Sequence, residues 1–350
     1  MPNRKRSLRK STTQHWRIKA TTAAAFVFLL AIGPAKSQEL VQQTPPEIQE
    51  AELLTQSNPT EAETKVRQYL EQHSDSAAGH FLLGYVLFRE IQSQARTSGA
   101  TQYEANQSLL HFRDEHARAS LAEFTEGAKY ARPSEFDLKI VAFDYILLDD
   151  SPDADKWLTR AVEWNPKDTD AWYNLGRTKY TENRFDEAIH AFEECLKLDP
   201  RNVKAEDNLG LSYYGLARVG DAETAYKAAI DWQASAKERD PQPYIDLGTL
   251  YLEQNRPRDA LPCLREATRI APDDAKGHEK LGKTYSQLDQ LPDAQRELER
   301  AVALAPDVAS LHYMLGQVYR KEGLTDKAKA EFDKTAALGG THSSDQKATE

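Results

Sequence analysis

No motif of a common catalytic site occurs in this sequence. It lacks a glycine-rich phosphate loop, a His-Glu-x-x-His pair and a Gly-x-Ser-x-Gly elbow. His111 and His116 lie five residues apart, a spacing that does not place both on one helix face, so we interpret them as part of an exposed polar stretch. The sequence therefore predicts neither an enzyme nor a metal site, and it indicates no cofactor.

The N-terminus lacks acidic residues and an apolar run long enough to span a bilayer. Residues 1–37 contain eight Lys or Arg and no Asp or Glu, and the apolar segment 20–33 is shorter than the roughly 20 residues that a span needs. With a small-x-small site at 35–37, this order indicates a secretory signal peptide, cleaved near Ser37. An uncleaved signal anchor at 20–33 and a mitochondrial-type presequence are the alternatives, whereas a lipoprotein anchor is not expected because no cysteine follows. We therefore expect an exported protein, periplasmic or secreted, with membrane anchoring as the alternative and a linker at 38–45.

The rest of the chain has an excess of acidic residues. The full sequence has a net charge of −10, and removing the eight N-terminal cations leaves −18. Such a body repels a phosphate backbone, so nucleic acid is not an expected partner.

A 34-residue segment, 169–202, carries two amphipathic helical patterns joined by a polar turn at 182–184. Its apolar residues follow the spacing i, i+3, i+4 and i+7 of a helix with one buried face. Small residues recur in register with Gly176: Ala142 lies 34 residues earlier, and Gly210, Gly248, Gly282 and Gly316 follow at intervals of 34, 38, 34 and 34. A fixed period predicts stacked helix pairs, with small residues where two helices cross closely.

The same segment resembles a tetratricopeptide repeat. The family pattern of Trp-x2-Leu-Gly, a small Ala, an aromatic residue and a closing Pro falls on Trp172, Leu175, Gly176, Ala188, Phe192 and Pro200. The resemblance covers about 43–340 and implies an all-α, right-handed α-solenoid of tandem helix–turn–helix repeats. It does not by itself define a function, because one fold serves many functions.

The repeat register predicts how the chain is divided. Two degenerate units are expected at 46–76 and 77–134, the second with an insertion near 91–116 that would lengthen both of its helices. Regular units are predicted at 135–168, 169–202, 203–240, 241–274, 275–308 and 309–340. Four extra residues near 231–240 indicate a longer loop or an extended second helix. We expect the last helix to end at Gly339-Gly340 and residues 341–350 to form a disordered tail.

Only two cysteines occur, and both lie on predicted second helices. Cys195 and Cys263 are separated by a whole intervening repeat. That exceeds the roughly 7 Å between Cα atoms that a disulfide allows, so we interpret both as small core residues.

In this family the first helices line the inner surface, and repeat positions 2, 5, 9 and 12 point into it. The resemblance therefore implies a groove with an aromatic front, whose partner-binding candidates are Phe81, Tyr85, Phe88, Phe136, Lys139, Phe143, Tyr173, Arg177, Tyr180 and Lys204. Aromatic and arginine side chains dominate binding hot spots, so this front predicts a surface for a peptide or helix. The alternative is that divergent N-terminal helices or the insertion cover it.

The back of the groove predicts a secondary basic patch of Lys276, Lys280, Lys283 and Arg320. This patch is either a solvated face or a site for an acidic segment. Some family members also clamp a terminal carboxylate with five side chains, and Lys139, Asn174 and Lys204 match that set. Phe143 and Asn208 depart from it, so carboxylate clamping is not the expected binding mode.

These features predict a non-catalytic protein–protein interaction scaffold that binds a peptide or helical segment of a partner. The alternative is a self-associating structural or assembly subunit of an envelope or secretion-type complex, because the last repeat lacks a capping helix. An enzyme of unknown type is a distant third, which a closed pocket holding polar groups with perturbed pKa values would favour.

Overall fold

Periodic apolar positions and polar capping residues produce sixteen helices and no strand in the part of the chain that the structure describes. The computed structural model describes residues 45–97 and 103–345, and only the backbone at 96–97, 103–106 and 340–345. The helices are α1 Pro46–Leu54, α2 Pro59–Gln72, α3 Ala77–Thr97, α4 Tyr103–Gly127, α5 Glu135–Leu147, α6 Ser151–Trp164, α7 Thr169–Thr181, α8 Phe185–Leu198, α9 Val203–Gly215, α10 Val219–Trp232, α11 Gln242–Glu253, α12 Pro257–Ile270, α13 Ala275–Gln287, α14 Leu291–Leu304, α15 Ala309–Lys321 and α16 Thr325–Asp345. This order confirms the predicted all-α fold of tandem helix pairs. The predicted signal segment 1–37 lies outside the described residues.

Short polar side chains fix where many of the helices begin. Asn58, Asp168 and Asn202 each accept a hydrogen bond from the backbone N–H three residues later. Ser134 and Asp137 form a complete capping box at the start of α5. Each such cap contributes about 1 kcal/mol to helix stability.

A residue with left-handed backbone follows the first helix of each regular pair. The φ angle is between 57° and 60° at Asp149, Asn183, Ala217, Asn255 and Asp289, and it is 78° at Gly323. These positions recur at the period of the repeat. The left-handed residue ends the first helix and turns the chain so that the second helix can pack against it.

The interval in sequence from Ala217 to Asn255 is longer than the intervals between the other left-handed residues, because a longer loop connects α10 to α11. Helix α10 ends at Trp232 and α11 begins at Gln242, so the four extra residues extend the connection, not the helix. The Gln233 side chain closes this loop, since it donates to the Asp240 carbonyl oxygen at 2.9 Å and accepts from the Asp240 N–H at 2.6 Å.

The glycine register reflects close packing inside each pair. A Cβ placed on Gly176 would lie 2.6 Å from the ring of Phe192, and one on Gly210 would lie 2.6 Å from the ring of Tyr226. Both rings are buried. This confirms that the recurring small residues lie where the two helices of a repeat cross.

The chain divides into two compact units within α6, after Trp157. In the first unit, α3 and α4 have 21 and 25 residues and pack against each other, whereas α5 to α15 have 12 to 14 residues each. The hydroxyl of Ser120 lies 2.9 Å from the Gly84 carbonyl oxygen and 2.6 Å from Asp144 Oδ2. A hydroxyl has a single proton, so one of these contacts needs a proton from Asp144. Burial raises the pKa of Asp144 well above its usual value, which favours the protonated carboxyl.

In the second unit, which begins at Leu158, each helix from α7 onward packs against the next. The first helices α7, α9, α11, α13 and α15 also contact one another in that order. Buried apolar residues from α10 to α16 form one cluster, which includes Tyr226, Tyr285, Leu298 and Val318.

The last helix is longer than predicted. Helix α16 runs through Gly339 and Gly340 to Asp345, so the expected helix end at these glycines is wrong. Gly339 does not adopt a left-handed φ, and a glycine with helical backbone weakens a helix by about 1 kcal/mol without ending it. Residues 346–350 lie outside the described residues.

Both cysteines are free thiols that pack with apolar side chains. Cys195 is fully buried and Cys263 is half-buried. Burial raises the pKa of the Cys195 thiol to about 12 and that of Cys263 to about 11, as expected for core residues.

None of the helices within 45–97 and 103–345 is long and apolar enough to cross a membrane.

Candidate partner-binding surface

In the first unit, the predicted front of the groove is largely buried. Phe88 and Phe143 are 0% and 1% exposed and their rings stack with centroids 5.9 Å apart. Phe136 is 7% exposed and meets Tyr85 edge-on at 5.1 Å, and Lys139 is 2% exposed. The prediction that these side chains are open to a partner is therefore wrong for Phe88, Phe136, Lys139 and Phe143. The physical reason is that α3 and α5 contact directly, so their aromatic side chains bury one another.

Two further front residues of this unit are half-buried. Phe81 stacks against Phe124 with ring centroids 6.2 Å apart, and Tyr85 is held by Phe136. Burial raises the pKa of Tyr85. These contacts lie within the packing of α3 with α4 and α5, so Phe81 and Tyr85 offer a partner only part of their surface.

The second unit leaves more of the predicted front accessible. Lys204 is exposed, and Arg177 and Tyr180 are half-buried. Tyr173 is 9% exposed; its burial raises the pKa of its phenol to about 12, and the Arg177 guanidinium lies 5.8 Å from its ring centroid. Tyr173 therefore offers a partner little surface, and its ring lies beside the Arg177 guanidinium.

Two exposed tyrosines on first helices were missed by the sequence interpretation. Tyr214 is 40% exposed and Tyr313 is 49% exposed. The Tyr214 hydroxyl donates to the Glu253 carboxylate, and the Tyr313 ring lies 5.8 Å from that of Phe332. The signal was present, because Tyr214 lies 34 residues after Tyr180 at the same repeat position.

The predicted basic patch is accessible but not purely basic. Lys276, Lys283 and Arg320 are exposed and Lys280 is half-buried. Two buried carboxyl groups, Asp207 and Asp246, lie close enough to Lys276 for its charge to act on their pKa values. Burial nevertheless raises the pKa of each carboxyl, and neighbouring carboxyls raise it further.

The accessible side chains of the first helices in the second unit together form what we call the first-helix surface. It comprises Arg177, Tyr180, Lys204, Tyr214, Lys276, Lys280, Lys283, Tyr313 and Arg320. It combines aromatic rings and guanidinium groups, which are enriched where proteins bind one another, with lysines, which are not.

A separate polar pocket of about 400 Å³ lies in the first unit. It is lined by Ser57, Asn58, Pro59, Thr60, Glu63, Glu90, Ser93, Gln94, Phe112 and His116. His116 Nε2 lies 3.3 Å from Glu90, and this contact raises the pKa of His116. His116 is half-buried, so its interpretation as an exposed residue is wrong. His111 is exposed, as predicted. Among the described residues no cluster of His, Cys, Asp and Glu could hold a metal ion.

Two family models match the chain, and both describe tetratricopeptide repeats. The model of the cilia and flagella-associated protein 70 middle TPR-like domain matches residues 138–271. A tetratricopeptide repeat model matches residues 279–342.

Similar curated proteins match about a third of this chain. The peroxisomal targeting signal receptor of Komagataella phaffii is 31% identical over 121 residues, which cover 33% of this chain and 20% of the receptor. The heat shock protein STI1 of Saccharomyces cerevisiae is 30% identical over 112 residues, which cover 28% of this chain and 19% of that protein. The chain thus spans about a fifth of the length of these relatives.

A solved structure of pilF from Pseudomonas aeruginosa is similar in fold. It has a TM-score of 0.51 at 17% identity and covers 56% of this chain and 88% of its own. This similarity concerns the fold alone. The two model matches, with the repeat register and the capped helix pairs, show that the chain is a tetratricopeptide-repeat protein over residues 138–271 and 279–342.

Proposed function

We propose that this protein is a non-catalytic scaffold that binds an extended or helical segment of a partner protein on the first-helix surface. The observation that carries the proposal is the pair of exposed tyrosines, Tyr214 and Tyr313, on first helices that contact one another in series. Large aromatic side chains supply much apolar contact area at a small entropic cost, and arginines such as Arg320 add charged donors.

The relatives support the same class of function. Their names describe a receptor for a targeting signal and a heat shock protein. Because the similarity covers about a fifth of each relative, it supports protein binding in general and carries no particular partner over to this chain.

The burial of the front in the first unit moves the proposed binding surface toward the second unit. Phe88, Phe136 and Phe143 already contact other parts of the protein, so replacing them would test folding. Tyr214 and Tyr313 are the better probes, because removing an exposed ring disturbs the core least.

Peptides selected from a random display library on the full chain test this proposal. We would measure their affinity by fluorescence anisotropy for the parent and for a Tyr214→Ala/Tyr313→Ala variant. The matched control is Tyr130→Ala/Trp164→Ala, which removes two rings that are 48% and 45% exposed and belong to no first helix. We expect the first variant to bind at least about tenfold more weakly and the control to bind normally.

Equal loss in both variants, or loss in neither, would contradict the proposed surface. Light scattering on the same samples tests the alternative of self-association. A mass of several chains without added peptide, together with failure to select any peptide, would favour an assembly subunit over a scaffold.

We also propose that the protein is exported, on the basis of the basic and apolar residues within 1–37. The test is the N-terminal sequence and cell fraction of the protein recovered from its source. A mature protein beginning near Gln38 outside the cytoplasm is expected, and an intact N-terminus in the cytoplasm would contradict export.

A further inference from the structure

Three carboxyl groups converge where two neighbouring first helices of the second unit meet. Asp207 lies on α9 and Asp246 on α11, and the two helices contact each other. Asp207 is 3% exposed and Asp246 is 9% exposed. Asp240, in the loop before α11, is close enough for its charge to act on both.

The hydrogen bonds around this cluster are incomplete. Gln242 Nε2 donates to Asp246 Oδ2 at 2.8 Å. Asp207 Oδ1 is fully buried and has no hydrogen-bond donor among the described residues. Leaving a buried carboxyl oxygen without a hydrogen-bond donor is unfavourable, because the oxygen has lost its hydrogen bonds to water and no protein donor replaces them.

Nearby lysines do not complete the cluster. Lys276 is exposed, and no ion pair within 4.0 Å joins it to Asp207 or Asp246 in the described part of the chain. Lys280 pairs with Glu279 at 3.1 Å instead. The carboxyls are therefore near positive charge but without a charged donor in contact.

We propose that Asp207 and Asp246 bind the guanidinium group of an arginine from the partner segment. This rests on the proposed function, because the arginine belongs to the segment that lies on the first-helix surface. A guanidinium stays charged and has five N–H donors in one plane, so it can donate to both carboxylates at once. The carboxylates at this position thus select for a basic segment, which suits the acidic character of the chain after residue 37.

Peptide pools test this inference on the full chain. Two fluorescein-labelled pools of eight-residue peptides would be random except at a fixed centre, which is arginine in one and citrulline in the other. Citrulline has the shape of arginine without its charge. We expect the arginine pool to bind about tenfold more tightly in anisotropy titrations, as for a desolvated charge pair.

Variants that remove the carboxylate charges test whether Asp207 and Asp246 cause the preference for arginine. Asp207→Asn/Asp246→Asn should bind both pools alike, whereas Asp307→Asn/Asp333→Asn, which removes two exposed carboxylates elsewhere, should retain the preference for arginine. Circular dichroism checks folding. If the double variant does not fold, Asp207→Asn alone serves, because Asp207 Oδ1 has no hydrogen bond to lose.

The outcomes separate this inference from the proposed function. Equal binding of both pools to the parent would overturn the arginine site and leave peptide binding intact. An arginine preference that persists in the Asp207 and Asp246 variants would place the arginine elsewhere and also overturn it. Failure of both pools to bind the parent would contradict the proposed function together with the inference.

Discussion

Ala217 adopts a backbone conformation that alanine disfavours. Its φ is 58°, whereas the equivalent position in the last pair is Gly323, with φ of 78°. The left-handed conformation costs a residue with a Cβ about 1–2 kcal/mol. We expect Ala217→Gly to stabilise the protein by up to about 1 kcal/mol, because the gain is reduced by the greater freedom of glycine in the unfolded chain.

The reverse change is the control for that prediction. Gly323→Ala should destabilise by about 1 kcal/mol or more for the same steric reason. Urea unfolding followed by circular dichroism measures both. Shifts of the midpoint in the same direction for the two variants would contradict the account of these turns.

The glycines at the helix crossings respond to a different constraint. In Gly176→Ala the new methyl group would lie 2.6 Å from the buried ring of Phe192, so the ring or the helix has to shift. We expect a loss of about 1–3 kcal/mol from overpacking. Gly220 lies in α10 with no atom within 4 Å of a built Cβ, so Gly220→Ala should stabilise by up to about 1 kcal/mol. Thermal melting distinguishes the two, and equal shifts would show that the crossing distance is not the constraint.

Residues differ in how far the sequence could predict their roles. The 34-residue register of Gly176 predicted the helix crossings, because a side chain that is missing at a fixed period indicates a close contact repeated in every pair. The left-handed positions follow the same register. Asp149, Asn183 and Ala217 are different residue types, however, so no sequence motif marks these positions. The burial of Asp207 could not be predicted, because it depends on how α9 and α11 meet.

At the scale of elements, three helix pairs share a histidine–glutamate contact. Nδ1 of the histidine lies 2.6–2.7 Å from the carboxylate in His80–Glu123, His278–Glu297 and His312–Glu331. Nε2 lies 2.7–3.0 Å from the carbonyl oxygen of Ser74, Pro272 or Pro306 respectively, each of which precedes the first helix of its pair. Both neighbours accept hydrogen bonds, so both contacts are satisfied only when the imidazole carries two protons. The contact joins the two helices of a pair and the connection before them.

This contact predicts a pH dependence at His80. Burial lowers the pKa of His80, but the bonds to Glu123 and the Ser74 carbonyl and the charge of Glu126 outweigh it, and the pKa is raised. The ring of Tyr130 also stacks nearby, with centroids 6.2 Å apart. Because the folded pKa exceeds the unfolded one of about 6.5, the stabilisation is complete below that value and is lost as the pH rises through the folded pKa.

We therefore expect His80→Asn to destabilise the protein most below about pH 6.5 and progressively less at higher pH. The measurement is the difference in urea midpoint between parent and variant from acidic to mildly alkaline pH. His190→Asn, at an exposed position on α8, is the control and should show little difference. A difference for His80→Asn that grows as the pH rises would contradict the sign of this argument.

Some element boundaries were predicted by the repeat register. The predicted units 169–202 and 203–240 begin where α7 and α9 begin, and the structure shows that the side chains of Asp168 and Asn202 cap these two helices. The continuation of α16 to Asp345 was missed, because a glycine pair ends a helix only when the backbone turns left-handed. The insertion near 91–116 was expected to lengthen both helices of its unit, and α3 and α4 are the long helices, with 21 and 25 residues.

For the molecule as a whole, repetition predicted the fold but only part of the candidate surface. Positions within a repeat are equivalent in sequence, yet their exposure depends on the neighbours. Phe143 is buried, whereas Tyr313 is exposed on the first helix of the last pair. The accessible aromatic and basic side chains therefore concentrate in the second unit, and the central claim is that a partner segment binds there.

Hydrogen–deuterium exchange of the full chain, with and without a library-selected peptide, tests this claim most directly. We expect the peptide to slow exchange in the first helices α7, α9, α11, α13 and α15 and to leave the second helices α8, α10, α12 and α14 unchanged. Slowing confined to the second helices, or to residues before Trp157, would contradict the account.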